Sequence, residues 1–143
     1  MNDLSVTELS RTECLALLAT SDLGQLALTR RALPKVVPAH YVVRDDHVVV
    51  HISTGLDTTP WADGEIVALH VFAFSDDQRH GWSVSVTGIA RGTPALDGSE
   101  PRPHAPWIAH GGGDLIAIST DLLSGERLAP TDEPKREQSA PDA

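Results

Sequence analysis

The most regular pattern of hydrophobic and polar positions covers residues 81–91, with the sequence GWSVSVTGIAR. Apolar side chains occupy positions 82, 84 and 86, and small hydroxyl side chains occupy positions 83, 85 and 87. Alternation with a period of two predicts a strand with one buried face. The other face carries no long charge before Arg91. This face fits either an ordinary barrel strand with small outward residues or a strand against which a ligand or second subunit lies.

The other patterns predict one helix and further short strands. The helix covers residues 7–20, where Thr7 or Ser10 can cap the start and Glu13 follows Ser10 by three positions. The other strands are predicted at residues 25–29, 35–43, 47–54, 65–74 and 114–119, with a short closing element at 122–128. A helix followed by six short strands predicts a mainly β fold, a small antiparallel barrel with the helix over one end.

Two places interrupt the strand pattern. Pro38 lacks the N–H group that a sheet ladder uses, so its strand should be an edge, bulged there, or turned toward a ligand. Residues 92–113 are rich in Gly, Pro and His and show no periodicity. They are too long for a simple hairpin loop, so we expect them to cover a site or an interface.

The chain is expected to form one domain with two irregular ends. Its 143 residues and 41% hydrophobic content suffice for one folded core. Residues 1–6 are predicted to be a flexible N-terminus and residues 7–128 the folded domain. Residues 129–143 are rich in Pro, Glu and Lys and are predicted to be a disordered tail.

Charge and composition narrow the partners. A net charge of −9 argues against a nucleic-acid surface. No stretch approaches the roughly 20 apolar residues that cross a bilayer, and the first residues form no apolar signal segment. Cys14 is the single cysteine, so an intramolecular disulfide is excluded. We therefore expect a cytoplasmic protein without nucleic-acid or membrane partners.

The residues present no catalytic constellation of their own. Seven histidines include no H-x-x-x-H pair on a predicted helix and no HExxH motif, so no metal site is predicted. His51 and His70 could face one another across neighbouring strands, but two ligands do not define a site. The G-x-S-x-G elbow and the Walker phosphate loop are also absent from the sequence. Such a barrel suits a cofactor that performs the chemistry itself.

Six segments occur in a recognisable order. They are LPKVVPAHY, VVVHISTG, EIVAL, GWSVSVTGIAR, APW and DLIAISTDLLSGERL. This order resembles the pyridoxamine 5′-phosphate oxidase-like, FMN-binding split-barrel proteins, over about residues 9–128. The resemblance implies a six-stranded antiparallel split barrel with an N-terminal capping helix. It also implies a homodimer that holds FMN in a cleft at the dimer interface.

The resemblance also implies which residues contact the cofactor. In this family the second strand, the end of the third strand and the start of the fifth hold the flavin. The matching positions are Val37, Pro38, Ala39, His40, Ser53, Thr54, Trp82 and Ser83. Of these, His40 is the titratable side chain expected near the flavin ring.

One departure from the family pattern concerns the phosphate. Relatives commonly carry a G-S-K or S-R-K segment whose cation binds the FMN phosphate, whereas this chain has Asp57-Thr58-Thr59. The missing charge-assisted contact is worth about 1.5–3 kcal/mol. Thr58 and Thr59 are expected to replace part of it, with Lys35 or Arg79 as cations from elsewhere in the chain.

Three functions are consistent with these residues. The first is a flavin-dependent oxidoreductase that acts by hydride transfer on a small-molecule substrate. The second is a non-catalytic split-barrel dimer that binds, senses or has lost a flavin or deazaflavin. The third is a deazaflavin-dependent reductase on the same fold. The scarcity of basic residues argues against pyridoxamine phosphate as the substrate.

Overall fold

Antiparallel strands and one helix make up the part of the chain that the structure describes. The structure is a computed structural model, and it describes residues 3–44, 46–52, 64–92 and 114–131. The elements are β1 (Leu4–Glu8), α1 (Arg11–Leu18), β2 (Leu23–Arg30), β3 (Leu33–Val43), β4 (His47–Ile52), β5 (Ile66–Phe74), β6 (Gly81–Arg91), β7 (Asp114–Ser119) and β8 (Leu122–Pro130).

Six of the strands close into a barrel. Their order around the barrel is β6-β5-β2-β3-β4-β7, and β7 pairs back onto β6 through Ala90 with Ile118 and Arg91 with Ala117. These six strands are the ones predicted from the alternating patterns, and the mainly β, six-stranded antiparallel fold is confirmed. The sequence alone did not indicate how β8 and β1 attach. They extend the sheet outward from β6, in the order β6-β8-β1.

Strand β6 belongs to both parts of the sheet. Its first seven residues pair with β8, from Gly81 opposite Leu128 to Thr87 opposite Leu122. Its last two residues pair with β7 instead. The barrel is therefore split where β6 exchanges one neighbour for the other, at Gly88 and Ile89.

The barrel interior is filled by the apolar positions of the alternating strands. Val84 and Val86 of β6 are completely buried in a core that includes Leu26, Tyr41 and Leu69. Burying each such side chain stabilises the fold by about 1.5–3 kcal/mol. The predicted inward face of residues 81–91 is confirmed.

Helix α1 covers one end of the barrel. Ser10 is its N-cap and forms a capping box with Glu13, whose carboxylate accepts from the Ser10 N–H at 2.8 Å. Cys14 and Leu18 are completely buried beneath it. The Tyr41 hydroxyl donates to the Leu18 carbonyl oxygen at 2.6 Å and ties the end of the helix to β3.

The two ends of the domain differ from the sequence prediction. The helix begins at Arg11 rather than residue 7, because Ser10 provides the complete capping box and Thr7 lies in a strand. The predicted flexible N-terminus is wrong for residues 4–6, since β1 pairs with β8 over its whole length. For the same reason β8 continues to Pro130, beyond the predicted domain end at residue 128. The tail from residue 132 and the predicted covering segment from residue 93 lie outside the described residues.

Candidate functional site

The outward surface of β3, β2, β5, β6 and β8 forms one sheet face, here called the outer face. Ser83, Ser85 and Thr87 of β6 lie on it and are each half-buried. Ser83 is opposite Phe72 of β5 on one side and Glu126 of β8 on the other. The small hydroxyl row predicted from the sequence therefore lies between β5, which carries aromatic side chains, and β8.

A cavity of about 280 Å³ opens on the outer face between β3, β2 and β5. Strand β2 forms its floor, with Gln25 opposite Pro38 of β3 and opposite His70 of β5. The lining residues are Leu23, Gly24, Gln25, Pro38, His70 and Phe72. The lining is apolar apart from the Gln25 amide, the His70 imidazole and backbone groups, a combination common in sites for flat, partly polar ligands.

Gly24 allows the two strands beneath the cavity to approach one another. A β-carbon at this position would lie 2.8 Å from the His70 carbonyl oxygen and 2.8 Å from Val71 Cγ2. Both contacts are shorter than such atoms tolerate. The position therefore requires glycine, and it brings β2 against the backbone of His70.

Pro38 marks the place where the hydrogen-bonding pattern of β3 changes. The Tyr41 N–H donates to the Asp22 carbonyl oxygen at 3.0 Å. In an antiparallel pair the backbone groups of every second residue point toward the same neighbouring strand, so the N–H and C=O groups of Ala39 also point toward β2. The nitrogen of Pro38 is then directed toward the β4 side, where the described ladder ends at Ala39 opposite Ile52. Of the three alternatives for this strand, an edge along its whole length is excluded, because β3 pairs with β2 over most of its length and with β4 from Ala39 onward. Pro38 is exposed and lines the cavity.

Three aromatic rings project in a row from β5 on the outer face. The ring centroids of His70 and Phe72 are 5.4 Å apart, and those of Phe72 and Phe74 are 5.8 Å apart. Phe72 remains 51% exposed and Phe74 49% exposed. The Phe74 ring lies over Gly81, where a β-carbon would lie 1.8 Å from its Cδ1. The small residues of β6 thus make room for the rings of β5.

The residues predicted to contact the cofactor divide between two faces. Pro38, His40 and Ser83 belong to the outer side of their strands, whereas Val37 and Ala39 belong to the core. Trp82 packs against the same core. Because neighbouring strand residues point to opposite faces, Trp82 and Ser83 cannot both direct their side chains toward one ligand. Ser53, Thr54, Thr58 and Thr59 lie outside the described residues.

The histidines have a different arrangement from the one the sequence suggested. His40 is only 8% exposed and His51 only 4%, and the two lie opposite one another on β3 and β4. His70 does not face His51, because β4 and β5 are not neighbours in the sheet. Sequence reasoning did not place His70 in a ligand site. The sequence did contain a signal for it: His70, Phe72 and Phe74 occupy alternate positions of one strand, and the next strand carries small residues.

Burial disfavours ionisation of two further side chains, Cys14 and Tyr41. It raises the pKa of the Cys14 thiol, which lies under Gly125 in the core, so Cys14 is not an activated nucleophile. Burial also raises the pKa of Tyr41 to about 12. Within the described ranges, no group of three or more His, Cys, Asp and Glu residues could hold a metal ion.

A second and wider groove lies where β6 leaves β8 for β7. Its volume is about 660 Å³, and Asp46, His47, Arg91 and Asp121 are among its lining residues. Asp46 and His47 are hydrogen-bonded at 2.9 Å, which lowers the pKa of the exposed Asp46 carboxyl. Thr87 is the member of the hydroxyl row that reaches it, and the predicted cofactor residues that are described do not line it.

A closed six-stranded barrel extended by β8 and β1 defines a split-barrel protein. The sequence pattern of the pyridoxamine 5′-phosphate oxidase family matches residues 10–97, which is more than half of the chain. The chain therefore belongs to the pyridoxamine 5′-phosphate oxidase family of split-barrel proteins.

Three relatives illustrate the similarity. The chain is 31% identical over 131 residues to the uncharacterized protein Rv0080 of Mycobacterium tuberculosis, with 86% of each sequence covered. It is 25% identical to the FAD binding protein of Mycobacterium smegmatis, with a TM-score of 0.64 over 86% of this chain and 98% of that one. The FAD-binding protein of Mesorhizobium loti shares the fold at 23% identity and a TM-score of 0.67, over 89% and 99% of the two chains.

No helix within the described ranges is long and apolar enough to span a membrane.

Proposed function

We propose that the protein is a homodimeric flavoprotein that holds the isoalloxazine ring of FMN or FAD at the cavity between Pro38, Gln25 and His70. The cavity on an exposed, partly aromatic face is the observation that carries this proposal. Its lining fits the ring, because apolar and aromatic side chains can pack on the flat surface. Gln25 and His70 can form hydrogen bonds with the polar edge. The FAD-binding relative from Mycobacterium smegmatis supports a flavin as the ligand.

A second copy of the chain completes the site in this proposal. The cavity of about 280 Å³ is open to the outer face, so one chain supplies only one wall of an enclosed ligand site. Large apolar side chains remain exposed on the outer face around it, including Leu23 at 45%, Val36 at 60% and Phe72 at 51%. Apolar patches of this kind mark interaction surfaces. The homodimer and the cytoplasmic location stay predictions.

The proposed activity is that of an oxidoreductase acting on a small-molecule substrate. The flavin supplies hydride transfer, and the chain supplies binding and orientation. Pro38 and Phe72 would restrict the ring to one position, Gln25 would bind its polar edge, and the second chain would exclude water. Ser83 lies one strand from Phe72 and is available to a substrate or to the flavin.

A non-catalytic dimer that binds, senses or has lost a flavin or deazaflavin is the second candidate. The acidic Asp57 and the absence of a cation in the segment Asp57-Thr58-Thr59 favour it, because a tightly held phosphate normally has a cationic partner. To distinguish the two, the bound flavin is reduced with dithionite without dioxygen and mixed with a small-molecule acceptor. An oxidoreductase should reoxidise its flavin faster than free reduced flavin reacts with the same acceptor, and a non-catalytic dimer should not.

The binding experiment compares a variant that blocks the cavity with a control on the same strand. Gln25→Trp fills the cavity, and Thr29→Trp places the same side chain on the same face of β2 but outside the cavity. We expect Gln25→Trp to weaken binding of FMN and FAD at least about tenfold, measured by quenching of flavin fluorescence, and Thr29→Trp to leave it unchanged. Equal affinities in the two variants would contradict the location of the site.

A further inference from the structure

His70 is the titratable side chain among the six residues that line the cavity on the outer face. It is half-buried, so part of the imidazole remains available to a ligand. His40, which the sequence indicated for this role, is 8% exposed and does not line the cavity. The structure therefore assigns a different histidine to the ligand than the sequence did.

His70 is positioned by its strand pairing on both sides and by the neighbouring Phe72 ring. Its ring lies 5.4 Å from that of Phe72, at an angle of 37°. On the neighbouring strands it is opposite Gln25 of β2 and Ser85 of β6. Its carbonyl oxygen lies where a β-carbon at Gly24 would collide with it. A ring placed in this way can meet a ligand without losing much conformational freedom.

No other ionisable side chain stands beside His70 among the described residues that line the cavity. The two residues directly opposite it, Gln25 and Ser85, are uncharged, and the six described residues that line the cavity include no Lys, Arg, Asp or Glu. Titratable groups on the next strands are His40 of β3, which is opposite Leu23, and Glu126 of β8, which is opposite Ser83. Neither residue lines the cavity.

We propose that His70 binds the polar edge of the flavin ring and favours its reduced form over its oxidised form. Reduction increases the negative charge on the ring, so an N–H donor or a positive charge in a half-buried site stabilises the reduced state more. This inference rests on the proposed flavin binding. It assigns to this chain a residue that sets the reduction potential of its cofactor.

The test compares His70→Phe, which keeps an aromatic ring beside Phe72 but removes the donor, with His70→Gln, which keeps a neutral donor. His80→Phe in the exposed β5–β6 turn is the matched control. In His70→Phe we expect the affinity for reduced flavin to fall about tenfold more than that for oxidised flavin. This corresponds to a midpoint potential about 30 mV lower. His70→Gln should lie between His70→Phe and the wild type, and His80→Phe should match the wild type.

Two further measurements separate this role from a structural one. In the wild type, the side-chain NMR signals of His70 should shift when oxidised FMN or FAD is added, whereas those of His80 should not. The midpoint potential should also depend on pH differently in wild type and His70→Phe, because only the wild type has an ionisable side chain at this position. The NMR experiment uses the unmodified protein, so it remains decisive if a variant does not fold.

The outcomes distinguish this inference from the function on which it rests. If the wild type binds neither FMN nor FAD, both are wrong. If flavin binds and Gln25→Trp weakens the binding, but His70→Phe keeps the wild-type potential, the flavin site stands and the role of His70 is wrong. If flavin binds and the His70 signals stay unchanged, the flavin lies elsewhere and both the site and the role of His70 are wrong. A change of potential in His40→Gln with none in His70→Phe would assign the role to His40.

Discussion

Replacing Gly125 by alanine tests how closely helix α1 packs on the sheet that carries the candidate site. Gly125 lies on β8 opposite Val84, and Leu9 N–H donates to its carbonyl oxygen at 2.9 Å. A β-carbon at position 125 would lie 2.8 Å from Cys14 Sγ and 2.8 Å from the Ser83 carbonyl oxygen. Real β-carbons do not approach such atoms this closely, so the helix or β8 has to move.

The size of the effect follows from what surrounds the glycine. Overpacking of this kind costs about 1–3 kcal/mol. We expect the upper half of this range, because Cys14 is completely buried and the Ser83 oxygen belongs to the backbone, so neither can rotate away. In a domain of this size the melting temperature should fall by roughly 6–10 °C.

Urea unfolding followed by tryptophan fluorescence measures the free energy of unfolding. Gly88→Ala is the control, since its β-carbon would lie 3.3 Å from Ile118 Cγ2, a methyl group that can shift. We expect it to cost less than about 1 kcal/mol. Cys14→Ala removes one of the two collisions, so the double variant should show a favourable coupling energy of about 0.5 kcal/mol or more. Equal stabilities of Gly125→Ala and Gly88→Ala, or zero coupling with Cys14, would refute the packing described for the helix.

Three further predictions concern the helix cap, a buried hydroxyl and the phosphate segment. Ser10→Ala removes the N-cap of α1 and should lower the free energy of unfolding by about 1 kcal/mol, measured by urea unfolding. Burial raises the pKa of Tyr41 from 10.0 to about 12, so the folded state retains the proton longer. The contribution of Tyr41 to the free energy of unfolding should be fully present below pH 10 and be lost as the pH rises to about 12. Tyr41→Phe should therefore flatten the decline of stability over this range. Thr59→Lys restores a cation to the phosphate segment and should tighten FMN binding about tenfold in a fluorescence titration.

Each of these predictions has a control and a contradicting result. Ser10→Thr keeps a capping oxygen, so its free energy of unfolding should stay close to that of the wild type. If Ser10→Ala were as stable as the wild type, the capping box would not contribute to stability. If the stability of wild type and Tyr41→Phe declined equally steeply above pH 10, the decline would be due to other ionisable groups. For the phosphate segment, riboflavin has no phosphate, so its affinity should not change in Thr59→Lys. An unchanged FMN affinity would mean that the phosphate lies elsewhere.

The barrel strands and the helix cap could be predicted because local sequence determines them. The alternation in residues 81–91 specifies which side chains of β6 enter the core, whatever its neighbours are. Ser10 and Glu13 are three positions apart and satisfy one another's backbone groups directly. In both cases the signal lies within a few residues of sequence, although β6 itself is stabilised by pairing with β5 and β8.

The ends of the domain could not be predicted in the same way. β1 has five residues, and its partner β8 is more than 110 positions away, with Leu4 opposite Pro130. A five-residue strand on the edge of a sheet gains its stability from this distant pairing. The local pattern before Ser10 was therefore compatible with a helix or a flexible segment.

The candidate site depends on the strand order, which the sequence pattern does not contain. Pro38 was predicted to contact a ligand. The residues that line the cavity with it could be identified only from the strand order, in which β2 lies between β3 and β5. That order brings His70 and Phe72 to the cavity and leaves His40 outside it. The strand at residues 65–74 was predicted, but its outward aromatic row became visible only beside the small residues of β6.

The most direct test of the account is equilibrium binding of FMN and FAD to the purified protein, combined with its molar mass by light scattering. We expect a dimer that retains one of the two flavins at micromolar concentration, with about one flavin per chain, and loses it in Gln25→Trp but not in Thr29→Trp. A folded protein that stays colourless with both flavins, or that binds them equally well with the cavity blocked, would contradict the account.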